Sequence, residues 1–119
     1  MVIIGLTAGM ACKSGEKGFD ITEGTWGVFL ETPAGSSALV YDFQGSKESG
    51  NVYYRNQERG TYRVTGNNVS FTVNHFDEQD NLFLYVYSGV VEDDFNMRGS
   101  FTITNPDGTV TNGTWTALR

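Results

Sequence analysis

Apolar and polar residues alternate along most of the chain after residue 21. The clearest case is Val69–His75 (VSFTVNH), in which each apolar residue is followed by Ser, Thr or Asn. A period of two places successive side chains on opposite faces, which is typical of a strand with one buried face. No segment shows sustained apolar residues at the i, i+3, i+4, i+7 spacing of an amphipathic helix. The pattern therefore predicts an all-β protein.

Turn-forming residues divide this region into short predicted strands. Gly66-Asn67-Asn68 and Asn105-Pro106-Asp107-Gly108 are the strongest turn signals, because Gly and Asn tolerate positive φ and Pro fixes φ. In the seventh predicted strand, Phe95, Met97 and Phe101 are expected to share one face. The eight predicted strands are Thr22–Glu31, Ser37–Gln44, Gly50–Asn56, Gly60–Thr65, Val69–His75, Leu82–Glu92, Phe95–Thr104 and Thr109–Leu118.

Short connections indicate how these strands are arranged. Strands joined by tight turns pair with the next strand in antiparallel fashion. An open sheet would leave two exposed edges, and a two-sheet sandwich would need longer crossover loops than this chain offers. Eight strands close into a barrel whose interior is filled by side chains or holds one small ligand. We therefore predict an eight-stranded antiparallel up-and-down (meander) barrel.

Composition excludes several classes of function. The 119 residues carry eight Lys and Arg against 14 Asp and Glu, a net charge of −6. Nucleic-acid binding needs clustered cations, so we expect no nucleic-acid partner. One cysteine and one histidine provide neither an intrachain disulfide nor a Cys/His zinc site, so we expect no metal site and no cofactor.

The first twenty residues differ from the rest of the chain. Residues 1–11 (MVIIGLTAGMA) are apolar and uncharged, Cys12 follows, and residues 13–18 are polar or glycine. This segment resembles the end of a bacterial lipoprotein signal peptide without its basic region, which implies that Cys12 is lipidated. The alternative is a buried first strand with an inert Cys12. We predict a truncated signal segment and flexible linker over 1–20 and a single barrel domain over 21–119. The location would be the bacterial envelope, with the lipid anchor as the only membrane contact.

Three short motifs carry a resemblance to a known family. Gly24-Thr25-Trp26 opens the first strand, Gly113-Thr114-Trp115 lies in the last, and Gly60-Thr61-Tyr62 repeats the Gly-Thr-aromatic start. The chain resembles the calycin superfamily, which includes lipocalins, avidins and small bacterial lipocalin-like lipoproteins. The resemblance implies that Trp26 lies at the closed end of the barrel and that Arg119 packs over its ring. The alternative for Arg119 is a side chain free in solvent.

A binding protein is the first functional hypothesis. The resemblance implies a lipocalin-like lumen, and mostly apolar concavities with a few polar groups are how small-molecule sites are built. The expected ligand is small and apolar or amphipathic. His75 would be a polar group at the barrel mouth, or alternatively a capped residue of the rim. The predicted lumen residues are Tyr41, Phe43, Tyr54, Tyr62, Phe71, His75 and Tyr85.

A structural or interaction lipoprotein is the second hypothesis. Residues 82–87 (LFLYVY) are apolar on both faces, so a stripe of Phe83, Tyr85 and Tyr87 could contact a protein partner while the barrel core is packed. We do not expect an enzyme, because no nucleophile motif such as G-x-S-x-G accompanies His75 and Asp77. The acidic turn Asp77–Asn81 lacks the glycine and the final glutamate of a calcium loop. The sequence does not fix the oligomeric state.

Overall fold

Residues 19–119 are described by a computed structural model, and they form a closed barrel of eight antiparallel strands. Each strand pairs with the next in chain order, which confirms the predicted all-β meander barrel. Within this part of the chain, no helix has the length and apolar character needed to cross a membrane. The strands are β1 Trp26–Thr32, β2 Gly35–Gly45, β3 Ser49–Tyr54, β4 Gln57–Thr65, β5 Asn68–Phe76, β6 Leu82–Asp93, β7 Asn96–Thr104 and β8 Val110–Leu118.

The barrel closes where the first strand meets the last. β1 pairs with β8 in antiparallel register, with Val28 opposite Ala117 and Leu30 opposite Trp115. This pairing removes both sheet edges, which would otherwise offer unpaired backbone groups to other chains. One end of the barrel contains the start of β1, and we call it the closed end. The other end contains the β1–β2, β3–β4, β5–β6 and β7–β8 turns, and we call it the mouth.

Local backbone geometry shifts several predicted strand ends. The third strand ends at Tyr54 rather than Asn56, because Arg55 and Asn56 have φ values of 53° and 65° and form a tight turn. Two consecutive positive φ values are typical of a type I′ hairpin, in which Asn is a favoured residue. The fourth strand consequently begins at Gln57, before the predicted Gly60.

The first hairpin also differs from the prediction. β1 begins at Trp26 rather than Thr22, because residues 21–25 form turns and bends. The Asp20 carboxylate accepts hydrogen bonds from the Thr22 backbone N–H at 2.9 Å and its hydroxyl at 2.6 Å. The connection to β2 is shorter than predicted, because β2 already begins at Gly35.

The prediction that Phe95 faces inward is wrong. Phe95 lies in the β6–β7 turn, and 62% of its surface is exposed. The Asp93 carboxylate accepts a hydrogen bond from the Phe95 backbone N–H at 2.8 Å and thereby stabilises the turn. The inward row of β7 begins at the buried Met97.

Apolar residues of the N-terminal segment fill the closed end. Ile21 is fully buried, and its carbonyl oxygen accepts a hydrogen bond from Trp26 Nε1 at 3.0 Å. Phe19, which the sequence placed in the flexible linker, packs against the core. The packed region therefore includes part of the predicted linker.

Two facing glycines allow β6 and β7 to approach each other closely beside Trp115. Gly89 and Gly99 lie directly opposite each other, and an added Cβ at Gly99 would overlap the Ser88 carbonyl oxygen. Trp115 Nε1 donates to the carbonyl oxygens of Ser88 at 3.2 Å and Ser100 at 3.0 Å. A glycine in a strand weakens it unless another group must approach closely, which is the case here.

Candidate functional site

Four of the predicted lumen residues fill the lower interior of the barrel. Tyr41, Phe43, Tyr62 and Phe71 are each at most 3% exposed. The Phe43 ring lies edge-to-face with Phe71 at a centroid distance of 5.1 Å and with Tyr62 at 5.5 Å. Aromatic pairs prefer this geometry. These side chains therefore form the packed core rather than the wall of a deep open lumen.

The other three predicted lumen residues meet near the mouth. Tyr54, His75 and Tyr85 are all partly buried. The His75 ring lies edge-to-face with Tyr54 at a centroid distance of 4.7 Å and with Tyr85 at 4.5 Å. This layer of three rings, which we call the upper aromatic layer, separates the packed core from solvent.

A chain of hydrogen bonds runs from the upper aromatic layer into the core. The Tyr41 hydroxyl lies 2.6 Å from His75 Nε2 and 2.7 Å from the Tyr87 hydroxyl. Tyr41 and Tyr87 are both fully buried, so each hydroxyl needs a protein partner. The chain of hydrogen bonds provides a partner for both hydroxyls.

Burial keeps all three groups of this chain neutral near pH 7. Desolvation, with smaller contributions from the positive charges of Arg59 and Arg55, lowers the pKa of His75 to about 4. Desolvation raises the pKa of the Tyr41 and Tyr87 hydroxyls well above the usual value of a tyrosine. A neutral imidazole can accept one hydrogen bond and donate another.

A small cavity opens at the mouth beside the upper aromatic layer. Its volume is about 210 Å³. Leu30, Tyr85, Phe101 and Ile103 form its inner wall, and Thr32 and residues 34–37 of the β1–β2 hairpin form its outer side. Drug-sized ligands occupy roughly 300–1,000 Å³, whereas an engineered apolar cavity of about 150 Å³ holds benzene. The cavity thus matches a molecule with one ring.

Sequence reasoning missed three of the residues that line this cavity. The alternating pattern correctly places Leu30, Phe101 and Ile103 on inward faces, but it contains no signal for their height in the barrel. That height depends on the register and tilt of strands that are distant in sequence. Tyr87 was missed as a polar partner for the same reason.

The proposed outer stripe of Phe83, Tyr85 and Tyr87 is wrong. Tyr87 is fully buried, and the Tyr85 ring lies 6.3 Å from Phe101 inside the barrel. The outward residues of β6 alternate with these three, and Leu82 and Val86 are exposed there. Successive side chains of a strand point to opposite faces, and the register of β6 with its neighbouring strands directs Phe83, Tyr85 and Tyr87 to the inner face.

In the acidic turn beside His75, the Asp77 carboxylate accepts hydrogen bonds from other residues of the same turn. The Asp77 carboxylate accepts hydrogen bonds from the backbone N–H groups of Gln79 at 2.9 Å and Asn81 at 3.0 Å. The hydrogen bond from the Asn81 side-chain amide, followed by these backbone bonds, lowers the pKa of Asp77. Within residues 19–119, no three His, Cys, Asp or Glu side chains come close enough together to hold a metal ion.

Trp26 and Arg119 lie together at the closed end. The Arg119 guanidinium carbon is 4.7 Å from the Trp26 ring centroid. The same guanidinium donates to the Glu23 carbonyl oxygen at 2.6 Å and to the Asp94 carbonyl oxygen. The arrangement joins the N-terminal segment to the β6–β7 turn and is distant from the mouth. Cys12, the predicted lipidation site, lies outside the described residues.

The outer wall carries a second, larger depression. It has a volume of about 670 Å³ and crosses β3 to β6. Its outward side chains are mainly polar and include Asn51, Thr61, Arg63, Ser70 and Thr72. Of the predicted site residues, Tyr62 and Phe71 border it, but both are buried in the core. We therefore take the mouth, not this groove, as the candidate site.

Comparison with known proteins supports the fold. No protein-family model matches the chain, and no curated protein sequence does. Among solved structures the chain is similar to a redesigned β-barrel, with a TM-score of 0.59 and 17% sequence identity over 83% of this chain and 91% of that one. Identity this low supports a common architecture only. The chain is thus an eight-stranded antiparallel β-barrel, and the calycin resemblance has no family match.

Proposed function

We propose that this barrel binds one small, mainly apolar molecule, about the size of a substituted benzene ring, at its mouth. The observation that carries the proposal is the cavity of about 210 Å³ between Leu30, Tyr85, Phe101 and Ile103. It keeps the lipocalin-like binding hypothesis but moves the ligand from a deep lumen to the mouth. A long lipid chain would need the space that Tyr41 and Phe71 occupy.

The affinity expected of such a site is modest. Burying about 200 Å² of apolar ligand surface contributes roughly 5 kcal/mol. The loss of translational and rotational freedom offsets about 4 kcal/mol or more of this gain. Hydrogen bonds from the upper aromatic layer would add to the remainder. We therefore expect weak binding of single-ring probes, with dissociation constants of about 10 mM or weaker.

A cavity-filling variant tests the proposal. We would titrate the full chain with acetophenone by isothermal calorimetry and by backbone NMR shifts. Ile103→Trp places an indole in the mouth cavity and should abolish saturable binding. Val110→Trp adds the same side chain at an exposed position near the same end and should leave binding unchanged. Equal binding by all three proteins would refute the mouth site.

We propose further that the protein is a lipid-anchored lipoprotein of the bacterial envelope. The support is the apolar segment before Cys12 and the polar residues after it. Ile21 lies at the closed end, and residues 12–19 can span at most roughly 24 Å. A lipid on Cys12 would therefore hold the closed end near the membrane and leave the mouth facing away from it.

One observation favours the second candidate, a packed barrel that binds a protein partner through its surface. Phe76, Leu82 and Val86 are exposed on the outer face of β5 and β6. Large apolar side chains exposed together are typical of interaction surfaces. Complementation of a strain lacking the gene separates the candidates. Loss of function in Leu82→Glu with full function in Ile103→Trp would favour the protein partner.

A further inference from the structure

The buried Tyr87 hydroxyl has a single hydrogen-bond partner within residues 19–119. That partner is the Tyr41 hydroxyl, at 2.7 Å. Tyr41 in turn contacts His75 Nε2 at 2.6 Å, and this is the ring's only hydrogen bond in the same part of the chain. The three groups therefore form a linear chain from the packed core to the mouth.

The protons of this chain can be arranged in two directions. If His75 Nε2 carried the hydrogen and donated to Tyr41, then Tyr41 would donate to Tyr87. The hydrogen of Tyr87 would then lie in the packed interior without an acceptor, and a buried unsatisfied donor is costly. In the opposite direction Tyr87 donates to Tyr41 and Tyr41 donates to Nε2. Every hydroxyl hydrogen then has an acceptor, so this direction is favoured.

The favoured direction fixes the tautomer of the imidazole. A neutral imidazole has one hydrogen, so if Nε2 accepts, the hydrogen is on Nδ1. Desolvation and the charges of Arg59 and Arg55 keep the ring neutral, with its pKa lowered to about 4. The ring packs against Tyr54 and against Tyr85, which also lines the mouth cavity.

We infer that Tyr41 holds His75 in the Nδ1–H tautomer and that His75 presents this donor at the mouth, beside Tyr85 at the edge of the cavity. A ligand that extends from the cavity to His75 therefore carries an acceptor such as a ketone or ester oxygen. Tyr41 is a positioning residue, because its hydroxyl donates to Nε2 and so fixes the proton on Nδ1. The assignment of a ligand class rests on the proposed mouth site. The assignment of the tautomer does not.

NMR of the histidine nitrogens tests the tautomer directly. His75 is the only histidine, so its ring ¹⁵N signals need no assignment against others. At pH 7 we expect a protonated Nδ1 and an unprotonated Nε2. Tyr41→Phe removes the hydroxyl that donates to Nε2 and should give a mixture of tautomers, whereas Tyr85→Phe, whose ring packs on His75 without bonding to Nε2, should not. A protonated Nε2 in the wild type, or an unchanged tautomer in Tyr41→Phe, would overturn the inference.

Two matched probes test the ligand class. Acetophenone has a carbonyl acceptor, and α-methylstyrene has nearly the same shape without one. We expect the preference for acetophenone over α-methylstyrene to fall about fivefold in His75→Phe relative to wild type, the loss of one hydrogen bond. An unchanged preference would overturn the role of Nδ1–H. Failure of both probes to bind, with Nδ1 protonated, would refute the proposed function but not the tautomer.

Discussion

The surroundings of His75 in the folded barrel differ strongly from those of a free imidazole in water. Two tyrosine rings cover it, Tyr41 holds its Nε2 atom, and two arginines add positive charge nearby. Burial, and to a smaller extent the nearby positive charges of Arg59 and Arg55, disfavour the protonated form. The imidazole is consequently both a candidate ligand-binding group and a probe of barrel integrity.

The pH dependence of stability should reveal this environment. The pKa of His75 is lowered from 6.5 to about 4, so the folded state favours the neutral ring. Its contribution to stability is fully present above about pH 6.5 and is lost as the pH falls through about 4. An NMR titration should give a midpoint near 4. His75→Phe should lack this part of the pH dependence of Tm. A wild-type midpoint near 6.5 would contradict the described burial.

The contacts of Arg119 lead to a second prediction for a single residue. Its stacking on Trp26 and its bonds to two backbone carbonyls should make Arg119→Ala cost about 1–2 kcal/mol of unfolding free energy. Arg98 forms an exposed ion pair with Glu92, so Arg98→Ala should cost less than about 1 kcal/mol. Urea denaturation measures both. Equal losses would show that the Arg119 contacts add nothing beyond an ordinary surface pair.

At the scale of the strands, β6 and β7 pair closely because Gly89 and Gly99 have no side chains. An added Cβ at either position would overlap a backbone carbonyl oxygen and the facing glycine. Trp115 lies beside this point and bonds to the carbonyl oxygens of Ser88 and Ser100. The two glycines therefore allow β6 and β7 to approach each other next to the indole.

Alanine substitution should separate this role from ordinary strand propensity. Gly99→Ala should destabilise the barrel by about 2–3 kcal/mol, because the backbone must shift to remove the overlap. Gly27 also lies in a strand, but its nearest neighbour to an added Cβ is 3.8 Å away. Gly27→Ala should therefore change stability by less than about 1 kcal/mol. Thermal unfolding of both variants tests the difference, and a small effect at Gly99 would contradict the packing described here.

The alternating pattern predicted the fold well because it depends on local physics. Period-two alternation identifies the inward face of β5 from Val69, Phe71 and Val73, and short turns impose antiparallel pairing. Strand ends were less predictable, because the Arg55–Asn56 turn depends on two positive φ values in residues that carry side chains. The inward or outward position of Phe95 depended on the Asp93 turn in the same way.

The candidate site was predicted only in part. The sequence identified Tyr54, His75 and Tyr85 as inward residues, and the structure brings these three together at the mouth. It could not show that Tyr41 and Phe71 fill the interior, because filling depends on how rings from four or five strands interlock. The Tyr41–Tyr87 hydrogen bond joins residues 46 positions apart, which no local pattern encodes.

At the scale of the whole molecule, the barrel has two different ends. The closed end is sealed by Ile21, Trp26 and Arg119, and the mouth carries the half-buried upper aromatic layer and the small cavity. An anchor near the closed end and a site at the mouth would place binding and attachment at opposite ends. The two functions would be at opposite ends because the N-terminal segment joins β1 at the closed end.

Lipid labelling tests the attachment. Expression of the full chain in a bacterial host, fed an alkyne fatty acid, should label the wild type. Cys12→Ser should lose the label and move from the membrane to the soluble fraction. Cys12→Ser that retains the label would refute lipidation at this residue, and an unlabelled wild type would refute the anchor altogether.

The position of a bound probe is the most direct test of the central claim, that the interior is filled and the mouth alone accepts a ligand. Intermolecular NOEs between acetophenone and methyl groups locate the probe. We predict NOEs to the methyls of Leu30 and Ile103, which line the mouth cavity. NOEs to Val52 and Val73 would place the ligand in the deep interior, and NOEs to Leu82 and Val86 would place it on the outer wall. Either result would contradict the account.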